Sequence, residues 1–261
     1  SGQFAMISGD VQYLYNVFSN NPQMAGGHEP QVPNWVDRVA VFTIYTGAGA
    51  GEQDGEISLF WLKAFGAQAV TVPGEKSREH YHPIAHPRKF DGLLPVLWHD
   101  EDDTIFGVPQ RSNSRAHVIP RGALVLKAPI HGLDTEPARA YVAALDDPGL
   151  PVAAMTWQGN SRFAVHAPMR RGQLVSVQMS YLPGWKASVN GRPVPVRGDG
   201  LGLIVIDPDC EGNCEIQAWY GMTGEAWVCR GLSALVSLGL LGMLFRRPRN
   251  FPRRLWGAAG R

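Results

Sequence analysis

The chain has 261 residues, 44% of them hydrophobic, and a formal charge of +1. That length holds one large domain or two small ones. The balanced charge argues against a nucleic-acid binder, which carries a concentrated basic face.

Residues 1–37 read as loop-rich. Asp10 to Phe18 has the spacing of a short helix, with Val11, Leu14, Tyr15 and Phe18 on one face. NNPQMAGGHEPQVPNW then holds too much Pro, Gly and Asn for regular structure. VAVFTIY, from Val39, has the β-branched and aromatic content of a buried strand. GAGAGEQDG reads as a turn. Glu56 to Phe65 is spaced as a helix that stops at Gly66. AVTVP, from Ala69, reads as a second strand, so residues 39–73 suggest a strand–helix–strand crossover.

From residue 92 short β-type segments alternate with Gly and Pro turns: LLPVLWH, TIFGVP, AHVIP, ALVLKAP, VAAMTW, RFAVHAP, QLVSVQMSY, WKASVN, RPVPVR, LGLIVI and EIQAWY. That pattern predicts a sandwich or barrel. One helix interrupts it at Thr135 to Leu145, with Thr135 as cap and Pro137 in the first turn. In LVSVQMSY the alternation puts Val175, Val177 and Met179 on one face and Ser176 and Gln178 on the other. Asn190-Gly191 is a two-residue hairpin turn, since both positions tolerate positive φ. The prolines of the returning RPVPV suit an edge strand. The expected fold is therefore α+β and mostly β. An α/β, loop-rich unit (1–91) precedes an antiparallel β-sandwich (92–225).

Gly231 to Phe245 reads GLSALVSLGLLGMLF, without charge. Extended back to Ala226 it makes about 20 residues, the length of a membrane span. Arg230 near one end can snorkel and Trp227 suits the interfacial belt. A buried helix of a soluble protein has the same composition. The arginines that follow favour a transmembrane helix over 226–245 with a basic cytoplasmic tail over 246–261. Residues 1–225 would then lie on the extracytoplasmic side of a bacterial cytoplasmic membrane. Ser1 is no initiator and no leader follows it, so upstream transmembrane segments of the same parent protein are expected.

Cys210 and Cys214 flank a short turn. A disulfide suits an oxidising compartment, and two free thiols are the alternative. His80, His82 and His86 lie in a Pro-broken loop, where a divalent metal competes with a plain polar loop; no cofactor is expected. Trp35 and Trp61 sit beside Gly-rich loops and are candidate platforms for sugar rings, whereas Trp185 and Trp219 read as core. Asp54 joins Trp35, Trp61, His80 and His82 as a candidate ligand-binding residue. With Glu56 it opens a helix, where acids favour the dipole. No nucleophile elbow, zinc-protease helix or phosphate loop occurs.

YLPGWKASVNGRPVPV, then GLGLIVIDP, EIQAWY and a terminal span, resembles the C-terminal extracytoplasmic region of YfhO-like bacterial membrane proteins, which are related to GT-C glycosyltransferases. Tyr181, Pro183, Gly184, Trp185, Ala187, Asn190, Gly191 and Tyr220 carry the match. FWLKAFGAQAVTVP and RAHVIPRGALVL also look like the family. The resemblance implies a part in sugar transfer from a polyprenyl-phosphate donor, with this module binding or orienting the acceptor. The family's acidic catalytic residue would lie in an early loop that this chain does not contain, so no catalytic residue is expected here. The alternative is a non-catalytic module that holds a glycan or a partner at the cell surface.

Overall fold

A computed structural model of the chain describes residues 3–5, 24, 33–74, 76–77, 82 and 84–245. The helix expected at Asp10 to Phe18 lies outside these residues. The chain divides into two units, residues 1–220 and 221–261.

The elements of the first unit run in order β1 (Gln3–Ala5), α1 (Trp35–Thr46), α2 (Asp54–Ala64), β2 (Ala67–Val72), β3 (Val96–His99), β4 (Thr104–Gly107) and β5 (Ala116–Pro120). Then come α3 (Arg139–Asp146), β6 (Ala154–Trp157), β7 (Arg162–Met169), β8 (Gln173–Ser180), β9 (Trp185–Val189), β10 (Arg192–Val194), β11 (Val196–Gly198), β12 (Leu203–Ile206) and β13 (Gly212–Tyr220). The second unit holds α4 (Gly224–Phe245). The fold is α+β and mostly β.

Three sheets organise the first unit, in strand orders β1-β2-β4-β3, β10-β9-β13-β7-β6 and β11-β12-β8-β5. The last two pack face to face as the sandwich. Val118, Val175, Val177, Ile204 and Ile206 on one sheet meet Phe163, Val165, Trp185, Ala187 and Ile216 on the other. Because side chains alternate along a strand, Ile119, Leu174, Leu203 and Val205 leave the opposite face. There they join Val36, Ile44, Trp61, Leu62 and Tyr141 of the helices. The four-stranded sheet thus has helices on one side and a sheet on the other.

The Ser176–Gln178 face of β8 is therefore buried, not wet. Burial requires hydrogen bonds there, and they are present. His117 Nε2 and Gln178 Oε1 are 2.9 Å apart. Gln178 Nε2 donates to the carbonyls of Lys63 and Ala64 at the end of α2. Ser176 Oγ donates to the Tyr141 hydroxyl of α3 at 3.2 Å.

Several expectations change. VAVFTIY lies inside α1, not in a strand. Asn34 caps that helix by accepting from the Val36 and Asp37 amides, and its buried residues recur at 36, 40, 43 and 44, a helical spacing. The parallel partner of β2 is instead β1, with α1 and α2 between them. ALVLKAP forms no strand: a 3-10 turn at Arg121–Ala123 runs into loop. The helix at 135 starts as a 3-10 turn, and the Thr135 side chain makes no capping bond. The first sheet joins strands from both sides of residue 92, since β2 pairs with β4.

The hairpin holds as expected. Asn190 and Gly191 have φ of 50° and 76°, and Arg192 pairs with Val189. β10 and β11 are edge strands of different sheets. Pro193 sits on one edge and Pro195 at the switch between sheets, where no ladder donor is needed. Cys210 and Cys214 form a disulfide. It closes a link between sheets rather than a hairpin, because β12 and β13 belong to different ones.

α4 stands alone. Its 22 residues span about 33 Å, against a bilayer core of about 30 Å. Gly224–Met243 has a mean hydropathy of 1.5, and none of this stretch is buried. Helices that are apolar all round need either a protein interior or a membrane. This one is long and apolar enough to cross a membrane.

Two groups of the sandwich, the buried His117 and the partly buried Asp199, titrate in opposite senses. Burial pushes the His117 imidazole down to about 4, reinforced by Arg111 and opposed by Gln178 and Asp146. Burial also pushes the Asp199 carboxyl up to about 6, against the amides of Leu203 and Leu201 that bond it. Asp199 Oδ2 has no hydrogen-bond partner among the described residues. The stability owed to His117 is complete above about 6.5 and lost as pH falls toward 4. That owed to Asp199 is complete below about 3.8 and lost as pH rises through 6. The two slopes oppose each other between pH 4 and 6. Asp199→Asn is expected to make the protein lose stability, relative to the parent, as pH drops through this window. His117→Gln is expected to do the reverse. Urea unfolding at several pH values checks both, and parallel curves for parent and variants would refute the assignment.

Candidate functional site

Two sites draw on the residues singled out from sequence. The first surrounds Asp54, which lies in the first turn of α2 with its side chain 5% exposed. Its Oδ1 accepts from Lys89 Nζ at 2.9 Å and from Ser58 Oγ at 3.3 Å. Its Oδ2 faces His86 Nδ1 at 2.8 Å. Lys89 also donates to the Ile44 carbonyl near the end of α1. Burial pushes the Lys89 ammonium down, and Asp54 opposes that shift. Close approach depends on Gly47, the left-handed residue that ends α1. A β-carbon there would stand 2.2 Å from Asp54 Oδ2.

Asp54 thus ties the end of α1, the start of α2 and the turn at 86–90 into one knot. A shallow depression of about 370 Å³ covers it, lined by Glu52, Glu56, His86 and Leu93. Both carboxylate oxygens are engaged and almost wholly buried, which suits a structural tie and not proton transfer to a substrate. The histidine it takes is His86. His82 is exposed, and His80 lies outside the described residues. Among the described residues no group of three or more His, Cys, Asp or Glu side chains is placed to hold a metal ion.

The second site is an open groove of about 600 Å³ between α1 and the loop at 130–133. Trp35 and Phe42 of α1 line one wall, and Ile130, His131 and Leu133 the other. Trp35 is 48% exposed and Phe42 59%. The ring of Trp61, expected as a second platform, is fully buried instead. Its indole N–H donates to the Gly132 carbonyl at 2.7 Å, so it holds the loop from beneath. Gly132 lets the loop approach α1, because a β-carbon there would stand 1.6 Å from Thr43 Oγ1. Asp134 Oδ2 accepts from the Ile130 amide at 3.0 Å and fixes the other end of the loop.

The groove therefore offers aromatic and aliphatic walls with an imidazole at the rim. Such a surface suits the apolar C–H face of a sugar ring, with polar edges turned outward. Phe42, Ile130 and His131 were not foreseen. Phe42 was assigned to a buried strand, and the 36-40-43-44 period of α1 was the signal that placed it on the outer face.

No protein-family model, no curated protein and no solved structure matches the chain.

Because Asp54 and Lys89 are both buried, losing one strands the other. Lys89→Met and Asp54→Ala are each expected to cost about 3–5 kcal/mol. The double replacement should cost less than the sum of the two. Chemical unfolding of the full chain in detergent, followed by tryptophan fluorescence, checks this; full additivity would mean that the two do not interact.

Proposed function

We propose that this chain is the membrane-anchored outer module of a larger bacterial membrane protein related to the GT-C glycosyltransferases. In this reading it binds and orients the acceptor while a sugar is moved from a polyprenyl-phosphate donor. Catalytic residues lie elsewhere in the parent protein. The observation that carries the reading is the groove, where Trp35 presents a half-exposed ring beside Phe42 on a domain that continues into an apolar helix of membrane length. The engagement of both Asp54 oxygens within the fold supports the expectation that catalytic residues lie outside this module. The Cys210–Cys214 bond supports an oxidising, extracytoplasmic compartment. The YLPGWKASVNG resemblance supplies the expected class of ligand.

The test is binding of the full chain, in lipid nanodiscs, to an array of bacterial cell-envelope glycans. At least one glycan should be retained. Trp35→Ala should weaken it about tenfold, the equivalent of one lost aromatic contact. Trp219→Ala, away from the groove, should leave it unchanged. Absence of any glycan binding, or equal binding by Trp35→Ala, overturns the proposal.

A further inference from the structure

Exposed apolar side chains of the first unit form more than one group: Val96, Leu97 and Trp98 lie on β3, Trp35 and Phe42 on α1, and a further group near one end of the sandwich. Leu126 and Ile130 are each 82% exposed, and Trp157, Leu182 and Tyr220 are exposed as well. Single exposed apolar residues are ordinary on a protein surface. Leu126, Trp157, Leu182 and Tyr220 share one end of the sandwich, as backbone bonds and ring contacts show. Tyr220 ends β13 opposite Trp185 of β9. The Trp185 amide donates to the Leu182 carbonyl at 3.1 Å. The next contact is Tyr181 N–H to the Gly202 carbonyl at 2.8 Å, and Gly200 N–H then reaches the Val125 carbonyl, beside Leu126, at 2.7 Å. Trp157 joins from the far side through ring contacts. Trp157–Phe163, Phe163–Trp185 and Trp185–Tyr220 have centroids 5.6, 5.2 and 5.6 Å apart.

Cations accompany this apolar rim. Lys127 follows Leu126 and is exposed. Arg162 and Lys186, both exposed, flank Trp219 on the neighbouring strands. The other end of the same strands also carries exposed arginines (Arg170, Arg171 and Arg192) and differs in its apolar side chains. None of the exposed large apolar side chains belongs to its turns, residues 170–172, 190–191 and 207–213.

Covalent geometry selects the partner. The chain leaves the domain at Tyr220, and α4 begins at Gly224. Four residue steps reach at most about 14 Å. If α4 crosses a bilayer, the rim around Tyr220 is held close to the membrane surface whatever direction the link takes. Aromatic rings with a polar edge settle at headgroup level, and lysine or arginine beside them pairs with anionic lipid.

We propose that this end of the domain is a lipid-contacting surface, whose rim of Leu126, Trp157, Leu182 and Tyr220 enters the boundary between headgroups and acyl chains. It rests on the membrane-span reading of α4 and is independent of the glycan reading. The YLPGW turn then has a second task beyond joining two sheets, since Leu182 stands on the rim and the buried Trp185 ring supports Tyr220 from beneath.

The test uses the full chain carrying Cys229→Ser, with Cys210–Cys214 left oxidised, in phosphatidylethanolamine–phosphatidylglycerol liposomes. Single nitroxides are attached after Leu126→Cys, Leu182→Cys, Arg171→Cys or Leu235→Cys, and their collisions with oxygen and with a water-soluble nickel complex are compared. The labels at 126 and 182 should lie about 5–10 Å into the headgroup–acyl boundary. The label at 171 should be as accessible to nickel as a label in water, and that at 235 should be in lipid. Labels at 126 and 182 that match the one at 171, with 235 in lipid, overturn the proposal. A water-exposed label at 235 removes the span itself and the proposal with it.

Discussion

The constraint on which the rest depends is that the sheet β11-β12-β8-β5 has no wet face. One side packs against the second sheet of the sandwich and the other against α1, α2 and α3. A register slip of one residue in β8 would exchange Val175 and Val177 for Ser176 and Gln178. The polar pair would then sit in the sandwich core without partners. The hydrogen bonds of Gln178 to the last carbonyls of α2 and to His117 thus set both the register and the docking of the helices. That docking in turn fixes two places where α1 and α2 meet other segments at the surface. One is the Asp54–Lys89 knot. The other is the groove, whose far wall Trp61 braces through Gly132.

The two sites divide the labour that the sequence alone could not apportion. Asp54 and Trp61 are inward-turned and hold segments together, with the exposed His86 closing on Asp54 from outside. Trp35, Phe42 and Ile130 are outward-turned and line the groove proposed to bind a ligand. The stability of the knot and the affinity of the groove should therefore respond to different substitutions, although both depend on the same pair of helices.

Strands were legible where alternation was backed by strong turns. Asn190-Gly191 announced its hairpin, and RPVPV announced edges because proline cannot complete a ladder. The disulfide was legible as one of two outcomes, from the shortness of the Cys210–Cys214 loop. α1 was hidden because Val39, Val41, Thr43 and Ile44 have strand-like composition, and tertiary packing at a 3.6-residue period overrode that preference. The burial of Ser176 and Gln178 was hidden because polar alternation normally signals a wet face, and only the helices that cover it say otherwise. At the site, Trp35 was found from its neighbourhood. Trp61 shares that neighbourhood, and sequence has no means of telling which of two nearby tryptophans turns inward. The walls from residues 130–133 come from a loop some 90 residues away in sequence, a distance that no local pattern bridges.

The central claim is that a folded, ligand-holding domain stands outside the cytoplasm on a membrane-crossing α4. Protease added to intact spheroplasts that express the full chain, followed by detection of an epitope placed within residues 1–220, tests it most directly. The account expects the epitope to be digested before the cells are lysed, while a cytoplasmic marker survives. An epitope that is protected until lysis would contradict it.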